Sequence, residues 1–509
     1  MNEEQDYPAL PKGWVLAEIR EIGEVVTGKT PKKSNPDYYD DTYPFFKPAD
    51  LNSGYYVKTA ADGLSEKGIN QSRLLPEKST LVTCIGATIG KTGFIRVKGA
   101  SNQQINAIMP HKNILSEFVY FYCISPQFQK EIINNYSSTT LPILNKSKFQ
   151  NLPIVFPSFL EQGRIVSKLE ELFTKLDAGI RSLQNIKIQL QLYRQAVLKH
   201  AFHGKLVDQD SNDKKVIEVL EKVKTDKEKM EKDKIIRKQK SLPPFAEHDV
   251  PFESPKGWIW VRLIDLIALE KNAMKRGPFG GSLKKEIFVK NGYLVYEQRH
   301  AIHNDFNYAK YFITPQKFQE MINFKVEPGD LIISCSGVTL GKIAEIPTKA
   351  KKGIINQALL KINLNSKLVR NDFFIYFFNS GIYQNQIFDK AKGSAIPNMV
   401  AVEQLKKTLI VIPPLEEQKR LVLELDYHFS LIRDLNKTVQ NALIQSNQLR
   451  QSILKMAFKG KLVSQNSNDE SAEKLLELIR KEKKHNNNKK ILIRTNDKRK
   501  QRSLIGYVE

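Results

Sequence analysis

The chain has 509 residues. A single hydrophobic core stops growing at roughly 250–300 residues, so several domains are expected. The net charge of +24, from 79 Lys and Arg against 55 Asp and Glu, favours a polyanionic partner. The three cysteines, Cys84, Cys123 and Cys335, form no zinc-finger pair, and their sparse, odd number fits a reducing cytoplasm. The N-terminus is unlike a signal peptide, and no apolar run approaches the ~20 residues that span a bilayer. We therefore expect a cytoplasmic protein that binds no membrane.

An internal repeat dominates the sequence. The heptapeptide AFHGKLV at Ala201 returns as AFKGKLV at Ala457, 256 residues later. The preceding residues match at the same offset, including Glu161 with Glu417. A repeat this long is not a solenoid unit, whose period is roughly 20–50 residues. It indicates two fused half-molecules, and such a chain suits a two-part target.

Each half begins with a mixed segment. The first opens with Pro-Lys-Gly-Trp at residues 11–14, and the second opens with the same four residues at 255–258. Both segments are rich in Gly, Pro, Asn and aromatic residues. Short apolar runs at residues 80–85 and 330–335 predict strands. We therefore expect a globular domain at the start of each half.

A glycine-lysine turn occurs once in each of these domains. Residues 86–91 (GATIGK) suggest a phosphate-binding loop, but that loop needs four residues between its glycines and this segment has three. The second copy, residues 337–342 (GVTLGK), also lacks the magnesium-binding hydroxyl. We predict a structural or DNA-facing turn rather than nucleotide hydrolysis. Its candidate DNA-binding residues are Thr88, Lys91, Thr339 and Lys342.

An Asn-Gln pair follows each turn at a similar distance, at Asn102-Gln103 and Asn356-Gln357. These side chains can recognise adenine through paired hydrogen bonds, or they can tie down a turn. Because the pair recurs, a shared structural role is favoured, although all four residues remain candidate DNA ligands.

Residues that recognise different base sequences should differ between the halves. The segments Lys29 to Tyr39 and Lys275 to Lys285 do not repeat, so they are the better candidates for specificity. Within the second segment, residues 278–282 (PFGGS) indicate only a glycine turn. The basic candidates for DNA contact are Lys29, Lys32, Lys33, Lys275, Arg276, Lys284 and Lys285.

A long helix follows each domain. Apolar residues recur at alternating steps of four and three, which is the pattern of a coiled-coil seam. Each narrow seam needs a partner, and the economical partner is the other helix, packed antiparallel. The alternative is that each helix packs only on its own domain. Ser158 and Glu161 predict a capped start, and Gly204 and Gly460 predict the two ends. The predicted seam residues are Leu169, Leu172, Leu176, Leu183, Leu190, Leu425, Ile432, Leu435, Val439 and Leu449, and His428 is predicted to pack between the helices.

Two charged segments complete the chain. Residues 208–250 balance acidic against basic residues, which predicts a solvated helix or linker. Beyond the second helix the chain is basic, which is typical of a disordered tail or of a segment that contacts nucleic acid or a partner subunit.

No catalytic motif is convincing. Residues 35–38 (NPDY) only partly match the Asn-Pro-Pro-Tyr loop of amino-methyltransferases, and no methyl-donor fingerprint accompanies them. We found no nuclease metal-ligand pattern, and the eight histidines show no ligand spacing. The sequence therefore predicts a chain without catalytic or metal-binding residues.

In this combination the chain resembles the specificity subunit of type I restriction–modification enzymes. The resemblance rests on the Pro-Lys-Gly-Trp openings, the Gly-x-Thr-x-Gly-Lys turns, the Pro-x-x-x-Glu-Gln helix starts and the Ala-Phe-x-Gly-Lys-Leu-Val helix ends, in this order and twice. It covers nearly the whole chain. From this resemblance we divide the chain into target recognition domain 1 (1–157), a central helix (158–204), a charged linker (205–250), target recognition domain 2 (251–413), a distal helix (414–460) and a basic tail (461–509).

The resemblance implies a fold of two α/β (α+β) recognition domains separated by an antiparallel coiled coil with pseudo-two-fold symmetry. It implies that each domain recognises one half of a split double-stranded DNA target, with a spacer set by the helices. It also implies two methyltransferase subunits and two restriction subunits as partners. S-adenosylmethionine, ATP and magnesium would then bind those partners and not this chain. The divergent segments suggest unlike half-sites and an asymmetric target.

Two other functions remain open on the residues alone. The chain could be a fused restriction–methylation enzyme with degenerate motifs, or a basic coiled-coil protein that binds DNA without sequence preference. Methyl transfer by the purified chain would favour the first, and equal binding to all duplexes would favour the second.

Overall fold

The protein is described by a computed structural model that covers residues 10–137, 141–236, 238, 242–337, 339–388 and 399–485. Predictions that concern the N-terminus, Val338 of the second turn, parts of the linker and the tail beyond residue 485 lie outside these residues. The chain divides into unit 1, residues 1–184 with 440–509, and unit 2, residues 185–439. Within the described residues, no helix has the length and apolar character needed to cross a membrane.

Unit 1 contains three small sheets. One is antiparallel with strand order β2-β8-β5-β6, one has order β4-β3-β7 with β3 and β7 parallel, and β1 pairs with β9. The strands are β1 (Val15–Glu18), β2 (Gly23–Thr27), β3 (Tyr43–Phe46), β4 (Gly63–Leu64), β5 (Thr80–Thr83), β6 (Thr92–Phe94), β7 (Ala100–Ser101), β8 (Ile105–Pro110) and β9 (Pro153–Phe156). The helices are α1 (Ile19–Ile22), α2 (Glu66–Gln71), α3 (Ser116–Cys123), α4 (Pro126–Asn135), α5 (Lys146–Gln150) and the first part of α6 (Phe159–Phe202).

Unit 2 repeats this plan. Its sheets have orders β11-β18-β15-β16 and β13-β12-β17-β14, with β12 and β17 parallel, and β10 pairs with β19. The helices are α7 (Val216–Lys232), α8 (Gln298–His303), α9 (Pro315–Glu320), α10 (Asn371–Phe378), α11 (Gly381–Phe388), α12 (Val402–Leu405) and most of α13 (Leu415–Ala457). The strands are β10 (Ile259–Arg262), β11 (Met274–Arg276), β12 (Tyr293–Tyr296), β13 (Phe312–Ile313), β14 (Lys325–Val326), β15 (Leu331–Ser334), β16 (Ile343–Glu345), β17 (Gly353–Ile355), β18 (Leu359–Ile362) and β19 (Leu409–Ile412).

The two apolar runs that predict strands form β5 and β15, which confirms that part of the sequence analysis. Every residue of both strands is buried. Such continuous burial explains why these runs do not alternate between apolar and polar residues. β5 and β15 are therefore the centres of the two four-stranded sheets.

The two long helices pack together and run antiparallel, which confirms the predicted fold class. In unit 1, the guanidinium of Arg450 lies 4.4 Å from the ring centre of Phe173 and also bonds Asp177. In unit 2, Arg194 lies 4.6 Å from the ring centre of Phe429. These two pairs are equivalent under the 256-residue repeat. The antiparallel contact is thus made twice, once in each unit.

Burial along the predicted seam is uneven. Leu169, Leu190, Leu425, Ile432 and Val439 are buried. No residue between 174 and 189 is buried, and Leu176 and Leu183, like Leu172, are half-exposed. Leu435 and Leu449 are 42% and 51% exposed. His428 fits its prediction of interhelical packing, because its Nδ1 lies 3.0 Å from the hydroxyl of Tyr193 on α6. The helices are buried best where domain cores also cover them.

The charged segments after the long helices also contain matching helices. α7 buries Val216, Leu220 and Val223 in the core of unit 2. Residues 472–485 are helical and bury Ala472, Leu476 and Ile479 in the core of unit 1. These three positions lie 256 residues beyond the first three. The repeat therefore continues into the segment predicted as a basic tail.

Candidate nucleic-acid interface

The ends of several strands meet at one edge of unit 1. The backbone N–H of Gly28, which follows β2, donates to Ile105 O at 2.9 Å, and that of Asn102, which follows β7, donates to Phe46 O at 3.1 Å. A Cβ on Gly28 would lie 2.1 Å from the carbonyl oxygen of Asn102. Only glycine therefore permits this close approach of two backbone segments.

Unit 2 builds the same arrangement. Gly277 N–H donates to Leu359 O, and Asn356 N–H donates to Tyr296 O, both at 2.9 Å. A Cβ on Gly277 would lie 1.8 Å from the carbonyl oxygen of Asn356. We call this shared arrangement the strand-end frame: Gly28 with Asn102 in unit 1, and Gly277 with Asn356 in unit 2. The loop that leaves each glycine is held beside the Asn-Gln pair.

The asparagine of each Asn-Gln pair holds its own turn. Asn102 Oδ1 accepts a hydrogen bond from Gln104 N, and Asn356 Oδ1 accepts one from Ala358 N, each at 3.1 Å. This side-chain-to-backbone bond two residues along the chain is an Asx-turn. Gln103 and Gln357 are exposed at the surface. In each pair, therefore, the side-chain amide of the glutamine is accessible to solvent, whereas the asparagine side chain is engaged in the turn.

The glycine-lysine turns are hairpin loops. They connect β5 to β6 and β15 to β16, which are antiparallel pairs. A phosphate-binding loop instead leads from a strand into a helix. The fold therefore agrees with the prediction that this motif is not a nucleotide-binding loop. Thr88, Thr339 and Lys342 are exposed, and Lys91 is half-exposed. Gln104 Nε2 donates to Ile85 O at 3.5 Å, which joins the first hairpin loop to the frame.

The loop after Gly28 is tied to its surroundings. Thr30 Oγ1 donates to Gln103 Oε1 at 2.6 Å, Tyr39 OH donates to Pro31 O at 2.7 Å, and Ser72 Oγ donates to Lys29 O at 2.6 Å. The side chains of Lys29, Lys32 and Lys33 are exposed on this anchored loop. The loop therefore presents fixed positive charge beside the strand-end frame.

The second divergent segment is divided between a strand and a loop. Lys275 and Arg276 belong to β11, where both are half-buried. The Lys275 ammonium lies 5.5 Å from the ring centre of Phe324, and Arg276 Nε is buried without a hydrogen-bond partner among the described residues. Lys284 and Lys285 are exposed on the loop that follows Gly277. Only these last two are exposed.

Sequence reasoning missed one residue of this loop. Phe279 is 82% exposed, more than any other large apolar side chain in the described part of the chain. The two glycines that follow Phe279 could have predicted this exposure, since an aromatic residue in a glycine-rich turn has little to pack against.

The other recurring motifs meet away from this frame. Trp14 of the first opening donates its indole N–H to Glu161 Oε1 at 3.0 Å, and Trp258 donates to Glu417 at 2.8 Å. Burial raises the pKa of both carboxyl groups, and the indole bonds oppose that shift. Ser158 caps α6 by accepting from Glu161 N at 3.1 Å. The Glu161 side chain turns to Trp14 instead of completing a capping box.

The helix ends close the same junctions. Gly204 and Gly460 both have φ +64, as expected for C-terminal caps. A Cβ on either glycine would lie 2.7 Å from the Cβ of a proline, Pro255 for Gly204 and Pro11 for Gly460. Arg164 pairs with Asp469 at 2.6 Å, and Arg420 pairs with Asp213 at 2.7 Å. The repeated motifs are thus explained by how each domain joins the long helices.

Among the described residues, no three His, Cys, Asp or Glu side chains are grouped to hold a metal ion. The three cysteines are buried thiols. The exposed lysines of the two divergent loops and the exposed amides of Gln103 and Gln357 are therefore the candidate binding groups.

Comparison with known proteins identifies the family. A family model described as the type I restriction modification DNA specificity domain matches residues 11–190 and 255–445. The type I restriction enzyme EcoKI specificity subunit of Escherichia coli is 22% identical over 499 residues, 94% of this chain and 98% of that protein. The HindI specificity subunit of Haemophilus influenzae is 33% identical over 169 residues, 32% of this chain and 37% of that protein.

Solved structures have the same fold. A structure from a study of complex assembly and conformational transition of the type I R-M system superimposes with a TM-score of 0.65 and 17% identity, covering 89% of this chain and 100% of that chain. The HsdS subunit from Thermoanaerobacter tengcongensis gives a TM-score of 0.51 and 18% identity, covering 90% and 100%. Because the family model matches twice and spans most of the chain, this chain belongs to the type I restriction–modification specificity subunits, the non-catalytic proteins that recognise the DNA target.

Proposed function

We propose that each unit recognises one half of an asymmetric, bipartite double-stranded DNA target through its strand-end frame. The observation that supports this is a constant frame with a variable loop. Gly28 with Asn102 and Gly277 with Asn356 hold the backbone in the same way, whereas the loops that leave the two glycines differ in sequence and contacts. A conserved scaffold with two different loops is what two unlike half-sites require.

Charge supports the same proposal. Lys29, Lys32 and Lys33 in unit 1, and Lys284 and Lys285 in unit 2, are exposed on the loops that leave the frame glycines. Lysines at these positions attract phosphates without distinguishing bases, so affinity should fall as salt rises. Lys91, Lys342, Thr88 and Thr339, on the hairpin loops, would add further backbone contacts. We assign Lys275 and Arg276 a lesser role, because their side chains pack within the domain.

Base recognition is then assigned to the exposed amides. Gln103 and Gln357 can each offer a donor and an acceptor to an adenine edge. Asn102 and Asn356 support them from beneath by holding the turns. This division gives each half-site one polar reader on a fixed turn.

The chain would act in a complex. We infer that two methyltransferase subunits and two restriction subunits assemble with it, because its relatives are named as subunits of type I restriction enzymes. S-adenosylmethionine, ATP and magnesium would be bound by those subunits. The complex would work in the cytoplasm, where its DNA target lies.

A map of methylated adenines across the genome tests this function. Cells with and without this chain are compared, with the methyltransferase partner present in both. We expect a split motif with a fixed gap that disappears when the chain is absent. Replacing residues 29–39 should change one half of that motif and leave the other half intact, and replacing residues 278–287 should do the reverse. Unchanged methylation, or a motif altered in both halves by either replacement, would refute the proposal.

A further inference from the structure

The loop after Gly277 carries an aromatic side chain that the described residues leave almost uncovered. Phe279 is 82% exposed, although leaving a phenyl ring in water forfeits the free energy of its burial. The root of the loop is anchored, because Pro278 is buried and Gly277 lies against the backbone of Asn356. Ser282 Oγ also donates to Phe279 O at 3.0 Å, which fixes the backbone beneath the ring. The ring is therefore displayed by a held loop rather than by a free end.

The surroundings of Phe279 favour nucleic acid as its partner. Lys284 and Lys285 are exposed on the same loop, and the exposed amide of Gln357 follows the asparagine against which the loop is anchored. DNA offers phosphates to the two lysines and base surfaces to the phenyl group, so both kinds of side chain on this loop would find a partner in it. An apolar side chain within a basic surface is the arrangement of proteins that insert wedges between base pairs.

Unit 1 has no such residue at the equivalent place. Counting from the frame glycines, Phe279 corresponds to Thr30, which is two residues beyond Gly28. Thr30 is small and polar, and its hydroxyl is bonded to Gln103 at 2.6 Å. The two units thus present chemically different side chains from the same frame.

We propose that Phe279 inserts between two base pairs of the half-site recognised by unit 2 and partly unstacks them. The inference rests on the proposed function, in that unit 2 must contact duplex DNA. It adds that one half-site is recognised partly through its deformability, because flexible pyrimidine–purine steps open at lower cost than others. Unit 1, with Thr30, would recognise its half-site without unstacking.

The test uses the full chain assembled with its methyltransferase partner and duplexes that carry the mapped target. Adenines of each half-site are replaced one at a time by 2-aminopurine, whose fluorescence rises when it is unstacked. The methylated adenine is left out, because a methyltransferase extrudes that base by itself. For the wild-type chain we expect a rise at one step of the unit 2 half-site and at none in the unit 1 half-site.

Three variants make the test specific. Phe279→Ala should abolish the rise and weaken binding about ten-fold, which corresponds to about 1.4 kcal/mol, because the stacking of a base on the aromatic ring is lost. Phe279→Leu keeps an apolar wedge and should retain part of both effects. Ile322→Ala removes another exposed apolar side chain of unit 2, located before β14 rather than at the frame, and should change neither.

The outcomes separate the two proposals. If wild-type chain shows no preference for the split target, the proposed function itself fails. If it prefers the target but the fluorescence rise is absent or survives Phe279→Ala, insertion is wrong. A third result would also overturn insertion. In that case Phe279→Ala weakens binding without any change in fluorescence, and the wild-type chain and the variant bind equally well once a particular thymine is replaced by uracil. That combination would show that Phe279 contacts the methyl group of this thymine instead.

Discussion

Residues of the same type have different tasks in the two strand-end frames. The paired amides illustrate this, because Asn102 uses its side-chain oxygen to hold Gln104 N, whereas Gln103 is exposed. A residue that holds a turn affects stability, and a residue that faces a ligand affects recognition. The two kinds of substitution should therefore have distinct consequences.

Gln103→Ala should relax base preference at one position of the unit 1 half-site by about 1–3 kcal/mol. It should lower thermal stability only slightly, because the hydrogen bond from Thr30 that it removes is exposed to solvent. Asn102→Ala should lower stability by about 1 kcal/mol through loss of the turn hydrogen bond. The measurements are competition binding with single-base variants of the target and thermal unfolding. Gln357→Ala is the matched control, which should act only on the other half-site. A loss of preference in both half-sites from either glutamine would contradict this assignment.

A buried ion pair distinguishes the two sheets. Lys361 on β18 lies 3.5 Å from Asp330, which precedes β15, and both side chains are almost fully buried. Burial raises the pKa of the Asp330 carboxyl, and the Lys361 charge opposes that shift. By strand register, Ala107 and Ser79 occupy the equivalent positions of unit 1. The sheet therefore accommodates either an ion pair or small uncharged residues.

Lys361→Ala should destabilise the protein by about 3–5 kcal/mol, because it leaves the buried Asp330 carboxylate without its counter-charge and, among the described residues, with only the backbone N–H of Glu327 as a partner. Adding Asp330→Ser to Lys361→Ala reproduces the pair found in unit 1 and should restore a large part of that loss. Denaturant unfolding followed by intrinsic fluorescence measures both changes. A double variant no more stable than the single one would show that the ion pair is not the source of the effect.

The tryptophan–glutamate pairs predict a pH dependence. The pKa of Glu161 and of Glu417 is raised in the folded protein, so folding favours the protonated carboxyl and stability falls as pH rises through the raised pKa. The double variant Glu161→Gln, Glu417→Gln keeps an oxygen to accept each indole N–H without the charge. We expect its melting temperature to exceed that of wild type by a few °C at pH 7 and to equal it near pH 4. An equal difference at both pH values would show that the buried carboxylate charge is not the cause.

The long helices show how far a sequence pattern determines packing. The period and the antiparallel pairing were predictable, because they depend on local spacing and on one chain holding both partners. The uneven burial was not, because Leu435 and Leu425 look alike in the pattern, yet the first is 42% exposed and the second fully buried. Side chains of the domain cover the helix at Leu425. Such contacts are between residues far apart in sequence, so the spacing of apolar residues along the helix does not reveal them.

This difference can be measured with two substitutions of the same kind. Leu425→Asp should destabilise unit 2 by more than about 3 kcal/mol, because a charge enters its core. Leu435→Asp should change stability by less than about 1 kcal/mol, because the side chain is accessible to water. Thermal unfolding compares the two. Similar losses from both would show that the seam is uniformly buried in solution.

At the scale of the whole molecule, the repeat could be seen in the sequence, and it predicted the order of domain, helix, domain and helix. Which residues meet was not visible, since Trp14 finds Glu161 across 147 positions and Arg164 finds Asp469 across 305. The motifs that identify the family are mainly the residues of these junctions. The loops that leave Gly28 and Gly277, which we propose to distinguish the two half-sites, do not repeat.

We propose that the helices set the gap between half-sites, which gives a prediction for the whole molecule. Deleting seven residues from each long helix shortens it by about 10 Å at 1.5 Å per residue. With 3.4 Å per base pair, the preferred spacer should shorten by about three base pairs. Methylation mapping of the double deletion measures the gap directly. Deletion in one helix alone should instead disrupt the register and abolish methylation, and an unchanged gap in the double deletion would show that the helices do not set it.

The composition of the two units has a consequence for synthesis on the ribosome. Unit 2 is one continuous stretch, residues 185–439, whereas unit 1 combines the beginning of the chain with residues after 440. The core of unit 1 needs Ile453, Leu454 and the helix at residues 472–485, which are made after the whole of unit 2. Unit 2 can therefore complete its core while translation continues, but the first domain to emerge must wait for these later residues. A product that stops early would then contain a finished second domain and an unfinished first one.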